Sequence, residues 1–315
     1  MIIVVLDAAT LAGVDLSPLM KFGTVTTYDH TTAEQVHHRI QDANVVISNK
    51  VQLNESHFVQ APKLKLICVA ATGTNNIDLA AARAAGIAVT NVAGYSTPSV
   101  VQHTFTLLGN LMTNIHRYAE DCRNGAWQKS PMFCRLDHSI NEIANKRFVI
   151  VGYGNLGQAV ANVAEAFGAQ VIIAERPNSK EVRRGRMAFE EALEVADIVS
   201  IHCPLTPQTE NVFNADTLAL LPKHAILINT ARGGIVDEHA LAQALKSNQL
   251  AAAGVDVLSS EPAQPDNPLI QYRGDNLLLT PHTAWASKES IGRLVAGIAE
   301  NIDSYLNGGQ TNRVV

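Results

Sequence analysis

The sequence predicts an α/β protein of two domains, each a doubly wound parallel sheet, and three observations lead there. At 315 residues the chain exceeds the length at which a single hydrophobic core usually stops growing. Short β-branched runs alternate with amphipathic stretches from the first residues onward, the pattern of parallel strands covered on both faces by crossover helices. This alternation is interrupted once, from Pro98 to about Asn124, by a long helix-like segment with a proline in its first turn and Gly125 near its end.

Before that segment, strands are expected at residues 2–6, 24–28, 45–48, 64–69 and 87–92, with helices around 32–42 and 78–85. After it a second series begins, with strands at 147–151, 170–175, 197–203, 225–229, 252–257 and 276–280. The last amphipathic stretch, 287–306, has the length and pattern of a helix that runs back onto the first series. One domain is therefore expected from residues 1–97 and 286–315, discontinuous in sequence, and the other from 98–285.

Composition narrows the function. The chain is 47% hydrophobic and 17% charged, a globular balance, and its net charge of −5 offers no basic field for a polyanion, so nucleic acid is not an expected partner. No apolar run approaches the roughly 20 residues that span a bilayer, and the first residues lack the basic start of a secretory signal. Cys68, Cys122, Cys134 and Cys203 show no CxxC spacing, which suits reduced thiols in a cytoplasm. There is no HExxH and no Cys/His cluster, so no metal site is expected. His37 and His38 fall on a polar helix face, His103 suggests packing or an interface, and Trp127 suggests a core anchor.

The strand at 147–151 runs into Gly152-Tyr153-Gly154-Asn155-Leu156-Gly157, and an alanine-rich helix follows. Strand on one side and helix on the other are the context in which GxGxxG binds a dinucleotide. The first glycine allows the turn, the second admits the pyrophosphate, the third lets the helix pack closely, and the helix N-terminus supplies N–H groups and partial positive charge. Glu175 ends the next strand 18 residues after Gly157, near the interval of about 20 expected for a ribose-binding carboxylate. It should accept from the 2′-hydroxyl and repel a 2′-phosphate, which predicts NAD(H). Arg176 beside it could pair with a 2′-phosphate, leaving NADP(H) as the alternative. Both domains are thus read as Rossmann-like.

Three later segments each place polar residues just past an apolar strand, at the end where α/β sheets hold ligands. They are Asn229-Thr230-Ala231-Arg232-Gly233, Asp256 followed by Glu261-Pro262, and Pro281-His282-Thr283-Ala284-Trp285. Reducing a 2-keto acid needs a cation for the carboxylate, an acid for the developing alkoxide and a partner for that acid. Arg232 suits the first with its bidentate fork, His282 the second, and Glu261 the third, accepting from the far imidazole nitrogen. A cysteine such as Cys203 with no adjacent base is a poor nucleophile.

On these motifs the chain resembles the D-isomer-specific 2-hydroxyacid dehydrogenase family along nearly its whole length. The resemblance implies Arg232, Glu261 and His282 as the catalytic set. It implies that Gly152, Gly154, Asn155, Leu156, Gly157, Glu175, Cys203, Pro204, Thr230, Ala231 and Asp256 line the cofactor site, and that the protein is a homodimer with the helix after Pro98 at the interface. The run Ala71-Thr72-Gly73-Thr74-Asn75-Asn76-Ile77-Asp78 and the segment 281–285 look most like the glycerate dehydrogenase, or hydroxypyruvate reductase, branch. By that likeness the amides of Gly73 and Thr74 meet the substrate carboxylate as an anion nest, with Thr72 also at the substrate; Trp285, next to the His282 segment, is either an aromatic wall of the substrate pocket or, like Trp127, a core anchor. Two alternatives stand beside this reading: a reductase of glyoxylate, pyruvate or aryl pyruvates with the same chemistry, and a non-catalytic NAD(H)-sensing regulator.

Overall fold

A computed structural model describes residues Met1 to Val315. The chain forms two compact units, Met1–Ser96 with Trp285–Val315, and Thr97–Ala284.

In the first unit β1 (Ile2–Val5), β2 (Thr24–Thr27), β3 (Val45–Ser48), β4 (Leu66–Val69) and β5 (Ala88–Thr90) make one parallel sheet of order β2-β1-β3-β4-β5. Strands β3 and β4 are buried at every residue because helices cover both faces. On one face Ile3, Val5, Ile47 and Cys68 pack against Leu294, Val295 and Ile298 of the Lys288–Leu306 helix. Ser287 starts that helix, its side chain accepting from the Ser290 amide at 3.1 Å. On the other face Val4, Val46 and Ile67 meet Val36 and Ile40 of the Ala33–Ile40 helix, which a Thr32/Gln35 capping box opens.

The second unit carries β6 (Arg147–Val151), β7 (Gln170–Ala174), β8 (Ile198–Ile201), β9 (Ile226–Asn229), β10 (Ala252–Val255) and β11 (Leu277–Leu279) in a parallel sheet of order β11-β10-β9-β8-β6-β7. Met187 adds a single parallel bridge to Ala174, a rudimentary strand outside β7. The order reverses between β6 and β8, and the carboxyl ends of these two strands therefore flank a topological switch point. Leu107, Leu108 and Met112 of the Thr97–Thr113 helix pack on Phe148, Ile150 and Ile228. No helix is long and apolar enough to cross a membrane.

Every expected strand is present, most of them a residue or two shorter. The long helix expected from Pro98 to about Asn124 is instead two, Thr97–Thr113 and Ile115–Arg123. Between them Asn114 takes the left-handed conformation, φ 52°, which asparagine tolerates better than most residues, and its amide donates to the Ser139 carbonyl at 2.8 Å. Trp127 is half exposed rather than a core anchor; its indole N–H donates to the Phe133 carbonyl at 3.1 Å.

At the other end of the second sheet, Asp197 joins the starts of β6 and β8. It accepts from the Arg147 amide at 2.7 Å, the Arg147 guanidinium at 3.3 Å and His224 at 2.7 Å. Burial alone would raise this carboxyl, but the Arg147 and His224 hydrogen bonds outweigh it and bring it down to about 2. A folded-state value below the unfolded one means stability that is present above about pH 4 and lost as the pH falls through about 2. Asp197→Asn should therefore cost about 1–2 kcal/mol at pH 7, and the gap to the parent protein should close as the pH drops toward about 2. Urea unfolding at a series of pH values measures this; a gap independent of pH would show that the charge does not matter.

Candidate active site

The Gly152–Gly157 loop leaves β6 at the switch point. Gly152 has φ +95°, and a Cβ there would lie 2.4 Å from the Cys203 amide nitrogen; a Cβ on Gly157 would lie 2.0 Å from the Gly152 carbonyl oxygen. Both positions require glycine because backbone fills the space a side chain would take. Gly154 is different. It precedes the Asn155–Ala166 helix, is exposed, and an added Cβ would meet nothing within 4 Å. The open space therefore lies over the helix N-terminus, where unpaired N–H groups favour a phosphate. These residues fit a dinucleotide, with Gly154, Asn155 and Leu156 in position to hold its pyrophosphate. Cys203 and Pro204 lie at the end of β8 beneath the loop, and burial pushes the Cys203 thiol up to about 11, so it is a packing group. His202 beside it, which no motif marks, is driven down to about 3 by burial and stays neutral with one ring nitrogen 2.8 Å from the Ser200 hydroxyl.

Glu175 follows β7 beside this loop, because Ala174 is in register with Val151. It does not present the free carboxylate that its spacing suggests. The residue is 2% exposed, and its oxygens accept from the Arg176 amide at 2.8 Å, from the Arg183 amide at 3.1 Å and from two guanidinium nitrogens of Arg183. The Arg183 hydrogen bonds hold it well below the usual carboxylate range.

Arg232, Glu261 and His282 all belong to the Thr97–Ala284 unit, at the carboxyl ends of β9, β10 and β11. Past β9, buried Asn229 staples the turn: its Oδ1 accepts from the Ala231 amide at 3.0 Å and its Nδ2 donates to the Arg232 carbonyl at 2.9 Å. Arg232 is thereby held outward and exposed, with one guanidinium nitrogen donating to the Ala231 carbonyl at 2.7 Å. Buried Thr104 and Thr230 share a hydrogen bond at 3.1 Å just below. The next residue, Gly233, lies against the following turn so closely that a Cβ would come within 1.9 Å of the Leu258 carbonyl carbon. The Arg232 turn and the Glu261 turn are therefore packed backbone to backbone.

Glu261 accepts from the Leu258 amide through Oε1 at 3.0 Å and meets His282 Nδ1 through Oε2 at 2.6 Å. The short contact between carboxylate and imidazole fixes the orientation of the ring. His282 has φ +54°, a left-handed conformation that a histidine adopts at some cost, and its amide donates to the Asp256 carbonyl at 2.8 Å. The Asp256 carboxylate, 1% exposed, holds the rest of the turn. It accepts from the Thr280 hydroxyl at 2.6 Å and from the amides of Thr283 at 3.0 Å and Ala284 at 2.9 Å. His103 lies 3.4 Å from the same carboxylate and 2.9 Å from the Thr280 hydroxyl. Burial works against the Asp256 charge, and these donors more than offset it, keeping the carboxyl below its ordinary range.

Two supports of this arrangement escape sequence reasoning. His103 suggests only packing or an interface from its position, and Glu238 carries no motif. Glu238 accepts from the Ser259 amide at 2.6 Å and from Asn267 at 2.6 Å, bracing the loop that bears Glu261. The remaining residues singled out from the sequence lie in the other unit. Thr72, Gly73 and Thr74 follow the carboxyl end of β4, with the Thr72 hydroxyl on the Val92 carbonyl at 3.2 Å and the Thr72 carbonyl accepting from Asn91 at 2.6 Å. Trp285 packs against that unit's core cluster.

Comparison with known proteins places this geometry in a lineage. Residues 105–284 match the model of the D-isomer specific 2-hydroxyacid dehydrogenase NAD-binding domain. The chain is 41% identical over 288 residues to the glycerate dehydrogenase of Methylorubrum extorquens, covering 91% of this chain and 90% of that one. It is 34% identical over 320 residues to the hydroxypyruvate reductase of Blautia hydrogenotrophica, covering 99% of each. A solved structure from Thermus thermophilus superposes with a TM-score of 0.85 at 31% identity over 100% of both chains. With a glycine loop built for a dinucleotide and matches that run nearly end to end, the chain belongs to the D-isomer specific 2-hydroxyacid dehydrogenase family and is an NAD-dependent oxidoreductase of 2-hydroxy acids.

Proposed function

We propose that the protein reduces hydroxypyruvate to D-glycerate with NADH, with Arg232, Glu261 and His282 as its catalytic residues. The observation that carries the catalytic assignment is the 2.6 Å contact of Glu261 with His282 Nδ1, which fixes the orientation of the imidazole that serves as the proton donor. The relatives named glycerate dehydrogenase and hydroxypyruvate reductase support the substrate.

When bound, the nicotinamide supplies the hydride. Arg232 grips the substrate carboxylate with two parallel hydrogen bonds and so orients the keto carbon. His282 gives its proton to the carbonyl oxygen as that oxygen gains charge, and Glu261 steadies the imidazolium before transfer. Met1–Ser96 with Trp285–Val315 is the substrate-binding domain, its Gly73 and Thr74 amides forming an anion nest for a carboxylate. The protein works as a homodimer in the cytoplasm. Exposed Ile115, Phe133, Leu136 and Ile140 after the Thr97–Thr113 helix support the association, and four free cysteines support a reducing compartment.

NADH oxidation followed by absorbance should be fastest with hydroxypyruvate, slower with glyoxylate and pyruvate, and slowest with phenylpyruvate. A preference for aryl pyruvates would overturn the substrate and keep the reaction class, whereas NADH binding without turnover of any 2-keto acid would overturn the catalytic reading in favour of a sensor. His282→Ala should lower kcat about 100-fold or more, the scale of a lost general acid. If kcat stays near normal, His282 is not the acid. Arg232→Lys should raise KM and lower kcat together, because a point charge cannot replace the fork; unchanged steady-state constants would refute the carboxylate grip.

A further inference from the structure

We propose that Asn91 is a positioning residue for the reaction: its side-chain amide fixes the Thr72–Gly73 peptide group so that the Gly73 N–H is aimed into the anion nest, and Asn301 and Asn312 hold Asn91 in place. The proposal rests on the reading of the Gly73 and Thr74 amides as a nest for the substrate carboxylate.

The peptide group is the first support. Asn91 follows β5, the edge strand of the first sheet, and its Nδ2 donates to the Thr72 carbonyl at 2.6 Å. That oxygen belongs to the same planar unit as the Gly73 N–H, and in a trans peptide the two lie on opposite sides of the C–N bond. Fixing the oxygen therefore fixes the direction of the N–H. A donor on the carbonyl also polarises the unit, which makes its N–H a stronger donor to an anion. The N–H groups of Gly73 and Thr74 bond nothing within the chain, so both are open to a ligand.

The specificity of the contact is the second. Two other bonds tie the same turn to the residues after β5: the Val92 amide donates to the Ala71 carbonyl at 3.1 Å, and the Thr72 hydroxyl to the Val92 carbonyl at 3.2 Å. These hold the turn against its neighbour. The Asn91 side chain alone reaches the peptide that carries the Gly73 N–H.

The mounting of Asn91 is the third. Its amide donates to the Asn312 carbonyl at 3.2 Å, its carbonyl accepts from Asn301 Nδ2 at 2.8 Å, and Asn312 Nδ2 donates to Asn301 Oδ1 at 2.8 Å, which closes a ring of three asparagines. Asn301 is 1% exposed on the Lys288–Leu306 helix, where an unbonded side-chain amide would be costly. Both ends of that amide are instead bonded to the ring. The segment that carries Asn312 is laid along β5, the Val89 amide donating to the Val315 carbonyl at 3.1 Å and the Val314 amide to the Val89 carbonyl at 2.7 Å. Order thus runs without a gap from a buried helix, through Asn91, to the peptide at the nest.

Steady-state kinetics of the full chain with hydroxypyruvate and NADH, beside a separate titration of NADH binding, test the role. A contact that holds the carboxylate equally in ground and transition states acts on KM and spares kcat, whereas a purely structural loss lowers the active fraction, and with it kcat, without moving KM. Asn91→Ala should raise KM about fivefold, the scale of one neutral hydrogen bond, with kcat and the NADH Kd within about twofold. Asn91→Asp, of the same size but without the N–H donor, should raise KM at least as much. Exposed Asn312→Ala should raise KM about twofold, and it reports on the ring even if the Asn91 variants fail to fold. A lowered kcat at unchanged KM, or no change in KM in any of the three, would overturn the positioning role. Thr74→Pro deletes one nest N–H directly and separates the two readings. If it raises KM while the Asn91 variants do not, the nest stands and the role of Asn91 alone falls; if Thr74→Pro leaves KM unchanged, the nest falls and the role of Asn91 with it.

Discussion

The buried Asp256 carboxylate is the interaction on which the candidate active site hangs. A charge that is 1% exposed would be ruinous without partners, and here a hydroxyl and two amides donate to it while His103 stands by. The donors come from one short stretch, Thr280 to Ala284, so satisfying the charge and shaping the turn are the same event. His282 lies inside that stretch, and its left-handed backbone is held by neighbours that are themselves bonded to Asp256. Removing the carboxylate would release the turn as well as orphan its amides. The imidazole would then lose its aim at Glu261 even though neither of those residues had been touched.

Close backbone approach does for the loops what Asp256 does for the histidine turn. Gly233 allows the Arg232 turn to lie against Leu258, and the same Leu258 donates its amide to Glu261. The cation and the carboxylate are therefore spaced by main chain, whose position does not depend on a rotamer. Gly152 and Gly157 act likewise at the phosphate loop, one against Cys203 and the other against Gly152 itself. Polar side chains with many rotamers are thus presented from backbone that has few alternatives, which is the condition for preorganised chemistry.

What can be read from the sequence and what cannot divide along contact range. Alternating apolar runs report burial within a few residues, and they locate all eleven strands. The glycine loop carries its own steric reason and needs no partner to be recognised. The break at Asn114 is invisible because the flanking stretches are both amphipathic, and the stabilising bond goes to Ser139, 25 residues on. Glu175 has the right spacing from Gly157, but its partner Arg183 sits in an irregular loop with no periodic signal; only the excess of arginines there hints at it. His103 and Thr280 are 177 residues apart and adjoin only because the helix of one packs on the sheet of the other. Motifs identify which residues carry chemistry, whereas the contacts that orient them are set by tertiary packing.

The ends of the Thr97–Ala284 unit show how the two kinds of information meet. Ser99 donates to the Ala284 carbonyl at 2.6 Å, tying the first turn of this unit to its last. Ala284 also donates its amide to Asp256, and His282 lies two residues earlier. One continuous set of hydrogen bonds thus joins the point where the chain enters the unit, the point where it leaves, and the histidine proposed as the acid. The 280–284 turn is therefore ordered together with both connections by those bonds. The fold therefore places the histidine proposed as the proton donor where the order of the turn and the order of the connections are the same physical condition.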